Sequence, residues 1–381
     1  MNDQYVILTG SKNNAGDYLI KYRAKQLFSE LRPDRKIIDM NGWERLNTEK
    51  LAIINQSKAL ILMGGPALVE KMVPKVYALT HNLEDIKVPI IMMGIGWKSK
   101  KGNWEDTYSY PLNKKTLCLL TKINNSGYLS SVRDYHTLNA IRFNGFNKFL
   151  MTGCPAYYDK DFINKKLHFK EINKVAFSLG VAFLESHSMQ SLMKENILAC
   201  KAKFLNKEFE VVFHHSLDRE KFRLDYKSSP RHVIKHNKFA EWLESEGIRY
   251  VDISGSAENL INYYSNVDLH IGFRVHAHIF MNSISRKSIL VSEDGRAKGV
   301  KGVIGGVVLD GYSYFKETLM AKIFNRLFPF YDRFIANKFL TMELLSEIDY
   351  EKVVNFNRFK CARMQVDKNY LVMHQFLMQL P

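Results

Sequence analysis

Cysteine is scarce in this chain: four in 381 residues, at positions 118, 154, 200 and 361, with no CxxC pair. That excludes a disulfide framework and a thiolate zinc site, and it fits a reducing, cytoplasmic setting. Long apolar runs are missing too. None approaches the roughly 18 residues of a membrane-spanning helix, and "MNDQYVILTG" reads as a first strand, not as a signal peptide. Acidic residues are in deficit, 39 against 55 Lys and Arg, for a net charge of +16. Such an excess suits nucleic acid, an anionic membrane face or small anionic substrates. The basic residues are dispersed, with mild enrichment only at 165–174 and 219–238. No RNP-type motif, zinc finger or heptad-linked basic region is present, so nothing points to a specific nucleic-acid partner. The P-loop pattern GxxxxGK[ST] is absent, and His214, His215, His270, His276 and His278 come with no HExxH or carboxylate triad. No metal site is expected.

What is present is a globular composition, 46% hydrophobic and 12% aromatic, in a chain long enough for two domains. Short apolar runs recur at 5–10, 36–40, 59–65, 88–96, 128–134 and 148–153, each followed by a turn signal and then a helical pattern. A basic, polar link at about 157–173 interrupts the rhythm, which resumes at 174–180, 209–216, 248–255, 267–273 and 288–294. Continuous apolar strands alternating with helices predict parallel sheets covered on both faces. The expected fold is α/β. Two Rossmann-like domains, 1–160 and 172–312, face each other across a cleft, and helices in 313–381 pack back across both. That tail, rich in Phe, Met and Lys, also leaves open a peripheral contact with a membrane surface.

The polar and glycine clusters fall on the carboxyl ends of these strands: "NNAGD" (13–17), "GGPA" (64–67), "GIGW" (94–97), "RD" (133–134), "GCPA" (153–156), "GFRVH" (272–276) and "SEDGRAKG" (292–299). Ligands bind at that edge of an open parallel sheet, where loop amides and helix N-termini converge. Each signal has a bland counterpart. Asp17 fits a first-turn helix charge, Gly64 and Gly65 a tight strand-to-helix turn, and Arg133 and Asp134 an internal ion pair. Cys154, beside Pro155 and with no basic neighbour, reads as an inert buried thiol. His276 fits a satisfied core histidine and Arg274 a surface cation.

Taken in order, Asn14–Ala15–Gly16–Asp17, Gly64–Gly65, "SVRD" (131–134), "GCPA" (153–156) and "GFRVHAHIFMNS" (272–283) resemble the polysaccharide pyruvyl transferase family. The last stretch is similar to that family's Gly-x-Arg-Leu-His signature, with Val275 in place of leucine. The segment 285–299 lacks the proline often found there. The resemblance implies a GT-B-type fold. It also implies transfer of the enolpyruvyl unit of phosphoenolpyruvate onto two hydroxyls of a saccharide, free or lipid-linked, in a surface polysaccharide or its precursor, with release of phosphate. By position it implies Arg133, Arg274, Asn14, Gly16, Gly65 and Val275 at the substrate, with His276 and Asp17 as catalytic groups.

The residue types suit that chemistry independently. Phosphoenolpyruvate carries a phosphate and a carboxylate, and guanidinium forks bind such oxyanions in bidentate fashion while staying charged. Protonation of its methylene carbon calls for an acid titrating near neutrality, which His276 supplies. Asp17 would orient that histidine or take the proton of the attacking hydroxyl. No metal or organic cofactor is called for. A nucleotide-sugar glycosyltransferase of the same architecture remains the alternative, because a basic cleft neutralises a diphosphate equally well.

Overall fold

The computed structural model describes residues 3–10, 15–165, 167, 169–226, 229–314 and 334–381. Asn14 and the part of the tail at 315–333 therefore lie outside the described residues. The first half builds one six-stranded sheet from β1 (Gln4–Thr9), β2 (Lys36–Asn41), β3 (Ala59–Leu68), β4 (Ile90–Trp97), β5 (Ser130–Val132) and β6 (Phe149–Met151). The second half builds another from β7 (Lys174–Ser178), β8 (Glu208–Phe213), β9 (Tyr250–Asp252), β10 (Leu269–Gly272), β11 (Lys287–Ser292) and β12 (Val307–Asp310). Every pairing in both sheets is parallel. The α/β architecture with two parallel sheets is thus the one expected. Strand β12 was not anticipated. It has four residues behind Gly305–Gly306 and is too short to stand out as an apolar run.

The two sheets differ in strand order. The first runs β2-β1-β3-β4-β5-β6 and the second β12-β11-β10-β7-β8-β9. Only the second, counted from β7, has the Rossmann order 3-2-1-4-5-6; the first is of the flavodoxin type. The order reverses between β1 and β3 in one sheet and between β7 and β10 in the other, and such reversals open a crevice for ligand at the carboxyl ends. The glycines assigned to a strand-to-helix turn at 64–65 lie inside β3, where the register shifts between Gly65 and Leu68. Gly65 has φ +81°, which an L side chain resists. The expected turn is thus an irregularity within the strand, of the kind a bulge makes.

The lobes share a core. Ala15 and Leu19 of the helix Ala15–Leu31 pack in one apolar cluster with Val275, Ala277 and Phe280 of the helix Val275–Ser283, and with Val366 and Met373 of the helix Asn357–Met378. A second cluster fills the other face of the second sheet. Arg363 ties the last helix to its neighbours. Buried almost completely, it donates to the carbonyls of Phe162 and Asn282 and pairs with Asp367 at 2.6 Å. The start of the basic link is itself buried, at Tyr157, Tyr158 and Asp159, because Asp159 pairs with Arg23 of the first helix. Among the described residues no helix is long and apolar enough to cross a membrane.

Candidate functional site

Arg274 stands where β10 gives way to the helix Val275–Ser283, at the N-cap. Gly272 makes the turn possible: φ is +135°, and a Cβ there would lie 2.3 Å from the carbonyl oxygen of Ser178. The Arg274 side chain folds onto the loop after β7. Its Nε donates to the Leu179 carbonyl at 2.7 Å, and a terminal nitrogen lies 3.4 Å from His215 Nε2. Burial and the Arg274 charge hold His215 well below the ordinary histidine range, so its neutral ring can accept that bond.

Beneath the turn runs a buried chain of hydrogen bonds. The Arg274 amide donates to Ser178 Oγ at 3.1 Å, and Ser178 Oγ lies 2.7 Å from His270 Nε2. His270 Nδ1 and His278 Nδ1 both lie 2.7 Å from Ser288 Oγ. One hydroxyl proton between two rings means that Ser288 donates to one and accepts from the other. Both histidines are neutral, driven down by burial, His278 to about 3. His214 bonds Tyr264 at 2.8 Å. The histidine-rich sequence is therefore divided among separate duties.

His276 is different. Its Nε2 is buried without a hydrogen-bond partner among the described residues, and its ring presses on the first lobe. A Cβ on Gly16 would lie 1.9 Å from His276 Nδ1. The reading of His276 as a satisfied core histidine is thus not what is observed. Burial, then the charges of Arg133, Arg296 and Arg274 in that order, push its pKa well below the usual value, while Asp294 opposes them. Three guanidiniums from remote parts of the chain act on one imidazole.

Arg133 comes from the end of β5. Its Nε sits against Gly96 of β4, where a Cβ would fall 1.9 Å away. The proposed ion pair with Asp134 is loose, 3.5 Å from Nε, because Asp134 caps the next helix by accepting from the Thr137 amide at 2.7 Å. Both terminal nitrogens of Arg133 are buried with no hydrogen-bond partner among the described residues. Unpaired buried donors of a permanent cation are costly, and an incoming oxyanion would satisfy them.

Sequence reasoning did not single out Arg296, Asp294 and Glu293, although it marked 292–299 as a polar cluster. Arg296 pairs with Asp294 at 2.6 Å. Burial pushes the Asp294 carboxyl up, but the guanidinium outweighs it and holds the group below the usual range. Glu293 accepts from the amides of Val181 and Ala182 at 2.7 and 2.9 Å, and burial raises its pKa against the pull of Arg274. Gly180 leaves room for it.

On the first lobe a cavity of about 250 Å³ opens between the ends of β1 and β3, lined by Asp17, Gly65, Lys75 and Lys98 among others. Asp17 is buried, and its carboxylate comes within 3.1 Å of where a Gly65 Cβ would be. Of the expected site residues, Gly16 packs against His276, the charges of Arg133 and Arg274 act on its ring, and Asp17 and Gly65 line the cavity on the first lobe. The Val275 side chain packs in the shared core instead; only its amide, ahead of the first helical hydrogen bond, faces forward. Cys154 is buried with its thiol pushed up to about 11, as an inert residue would be.

The family description "polysaccharide pyruvyl transferase" matches residues 14–280. The chain belongs to that family. This pyruvyl transferase family member is accordingly a transferase acting in polysaccharide modification, and Asp17, Gly65, Arg133, Arg274 and His276 all fall inside the matched stretch, whereas Arg296 lies beyond it. No curated protein matches the sequence. Among solved structures, an uncharacterised protein from Klebsiella pneumoniae is 15% identical, with 76% of this chain and 84% of that one covered and a TM-score of 0.37. UDP-GlcNAc 2-epimerase from Methanocaldococcus jannaschii is 11% identical over 91% and 99% of the two chains, with a TM-score of 0.47. The E. coli heptosyltransferase WaaC is 12% identical over 80% and 92%, with a TM-score of 0.37. No functional reading follows from likeness this distant.

Proposed function

We propose that the protein transfers the enolpyruvyl unit of phosphoenolpyruvate to two hydroxyls of a saccharide, forming a cyclic pyruvate ketal and releasing phosphate. The observation that carries this reading is the pair of buried terminal nitrogens on Arg133 that nothing among the described residues bonds, on a cation that acts with Arg274 and Arg296 on His276, whose Nε2 is likewise unbonded there. A compact oxyanion with two charged ends meets that demand.

Before the donor binds His276 is neutral, because burial and three cations oppose its charge. A bound phosphate and carboxylate reverse the field and bring a proton to the ring. His276 then protonates the methylene carbon, the cation at the central carbon takes the first hydroxyl, and loss of phosphate lets the second hydroxyl close the ketal. The amides at the start of the helix Val275–Ser283 add partial positive charge toward the donor. Asp17, in the lining of the β1/β3 cavity, accepts the proton of the first hydroxyl, and the departing phosphate takes that of the second.

The test is incubation with phosphoenolpyruvate and a glycan panel, followed by phosphate release and the mass gain of a pyruvate ketal. His276→Ala should abolish turnover, and Arg274→Ala should weaken donor binding. Thermal protection by nucleotide sugars and not by phosphoenolpyruvate would replace this reading with glycosyl transfer.

A further inference from the structure

Three aromatic side chains form a stack on the first lobe, close in sequence to Arg133. Trp97, the last residue of β4, is fully buried. The His136 ring lies over it at 5.4 Å and 13°, and the Trp104 ring lies over His136 at 4.1 Å and 25°. Trp104 is 49% exposed, so one indole face is covered and the stack ends in open ring. Beside it Tyr108 and Phe143, 52% and 59% exposed, meet edge to face at 5.3 Å. Exposed apolar surface gathered in one place, on a chain otherwise rich in charge, marks a contact site.

The stack is rigid and adjoins the candidate chemistry. Asn139 donates to Thr107 Oγ1 at 2.7 Å, fastening the short turn that follows Trp104 to the helix Tyr135–Phe143. His136 lies three residues beyond Arg133, and after burial the charges acting on it are those of Asp134 and Lys298. Lys298, from the second lobe, donates to the Lys101 carbonyl at 2.9 Å. Gly102 packs so closely on Gly295 that a Cβ would fall 2.4 Å from its Cα. The segment carrying Trp104 therefore touches both lobes.

We infer that the Trp104 face, extended by Tyr108 and Phe143, is the platform on which the saccharide acceptor stacks. A pyranose gathers C–H bonds on one face and hydroxyls around its rim, so it packs on a neutral ring while its hydroxyls stay free to react. The strongly anionic donor has no such face and is drawn to the arginines instead. The inference rests on the pyruvyl-transfer reading only for calling the glycan an acceptor; the stacking itself does not depend on it.

The experiment compares wild type, Trp104→Ala and Trp104→Phe. Saturation-transfer NMR uses the acceptor found by phosphate release, together with lactose and cellobiose, without donor. Signal in wild type and Trp104→Phe that is lost in Trp104→Ala supports the platform. In turnover, Trp104→Ala should raise the acceptor KM about tenfold or more, with kcat changed less and thermal protection by phosphoenolpyruvate intact. Glycan signal lost with Trp104→Ala in a protein that ignores phosphoenolpyruvate supports the platform and removes the transfer reading. Normal turnover with an unchanged acceptor KM in Trp104→Ala overturns the platform and leaves the transfer reading standing.

Discussion

Gly16 is the point at which a single methyl group tests the geometry. Its Cα faces the His276 ring across the junction of the lobes, and an added Cβ would fall 1.9 Å from Nδ1, 2.3 Å from Cγ and 2.8 Å from the His276 Cβ. Ordinary contact begins at 3.4 Å, so in Gly16→Ala the ring must retreat by about 1.5 Å, the difference from 1.9 Å. His276 is 5% exposed and its helix is buried along its length, so the shift must be taken up by the packing. Overfilling a core costs about 1–3 kcal/mol, and lobes of this size lose about 2–4 °C of Tm per kcal/mol. Displacing a proton-transfer group by more than 1 Å costs about 100-fold in rate. Thermal melts and phosphate release measure the two effects separately. Gly302→Ala is the control: nothing lies within 4 Å of its added Cβ, and helix propensity makes it more stable by about 0.5–1 kcal/mol. Gly16→Ala with wild-type Tm and wild-type turnover would refute the close packing of His276 on the first lobe. Lost stability with full turnover would remove His276 from the chemistry.

Arg133→Met removes a buried cation whose terminal nitrogens lack bonds among the described residues but also takes from Asp134 its 3.5 Å ion pair, so Tm should change little while phosphoenolpyruvate binding weakens about 100-fold. Unchanged phosphoenolpyruvate binding would refute the donor role of Arg133. Donor binding near neutral pH should take up more protons in wild type than in His276→Gln, measured by calorimetry in buffers of different ionisation enthalpy; equal uptake would show that His276 stays neutral. Ser288→Ala leaves His270 and His278 without their shared hydroxyl and should cost about 2–5 kcal/mol, read as a fall in the urea midpoint. The buried histidines 214, 215, 236, 270, 276 and 278 are all held below the usual value, His236 at about 4. The unfolded chain therefore binds more protons below about pH 6.5. Their contribution to stability is complete above that pH and is lost as pH falls toward the folded values, so a urea midpoint unchanged between pH 7 and 4.5 would refute the neutral assignments.

Strand alternation and the placement of polar clusters were legible because both are local. An apolar run of β-branched residues needs burial on two faces wherever it occurs, and glycines after it mark the ligand edge. The family's ordered motifs lay in the same places. The run at 307–310 escaped because four residues carry too little pattern. The bulge at Gly65 escaped because a register shift is a property of the neighbouring strand. Arg296 was within a marked cluster, yet nothing local distinguishes a buried cation whose charge reaches His276 from one that faces solvent.

The sequence by itself determined the class of fold, the edge on which chemistry collects and the identity of the signature residues, since these follow from which side chains tolerate water and which backbone turns require glycine. Only the tertiary structure decided which cations are already satisfied. Arg274 and Arg133 look alike in the chain, but the loop after β7 supplies a carbonyl to the one, and nothing among the described residues bonds the terminal nitrogens of the other. Hydrogen-bond partners come from strands far apart in sequence, and their distances are fixed only when the lobes pack.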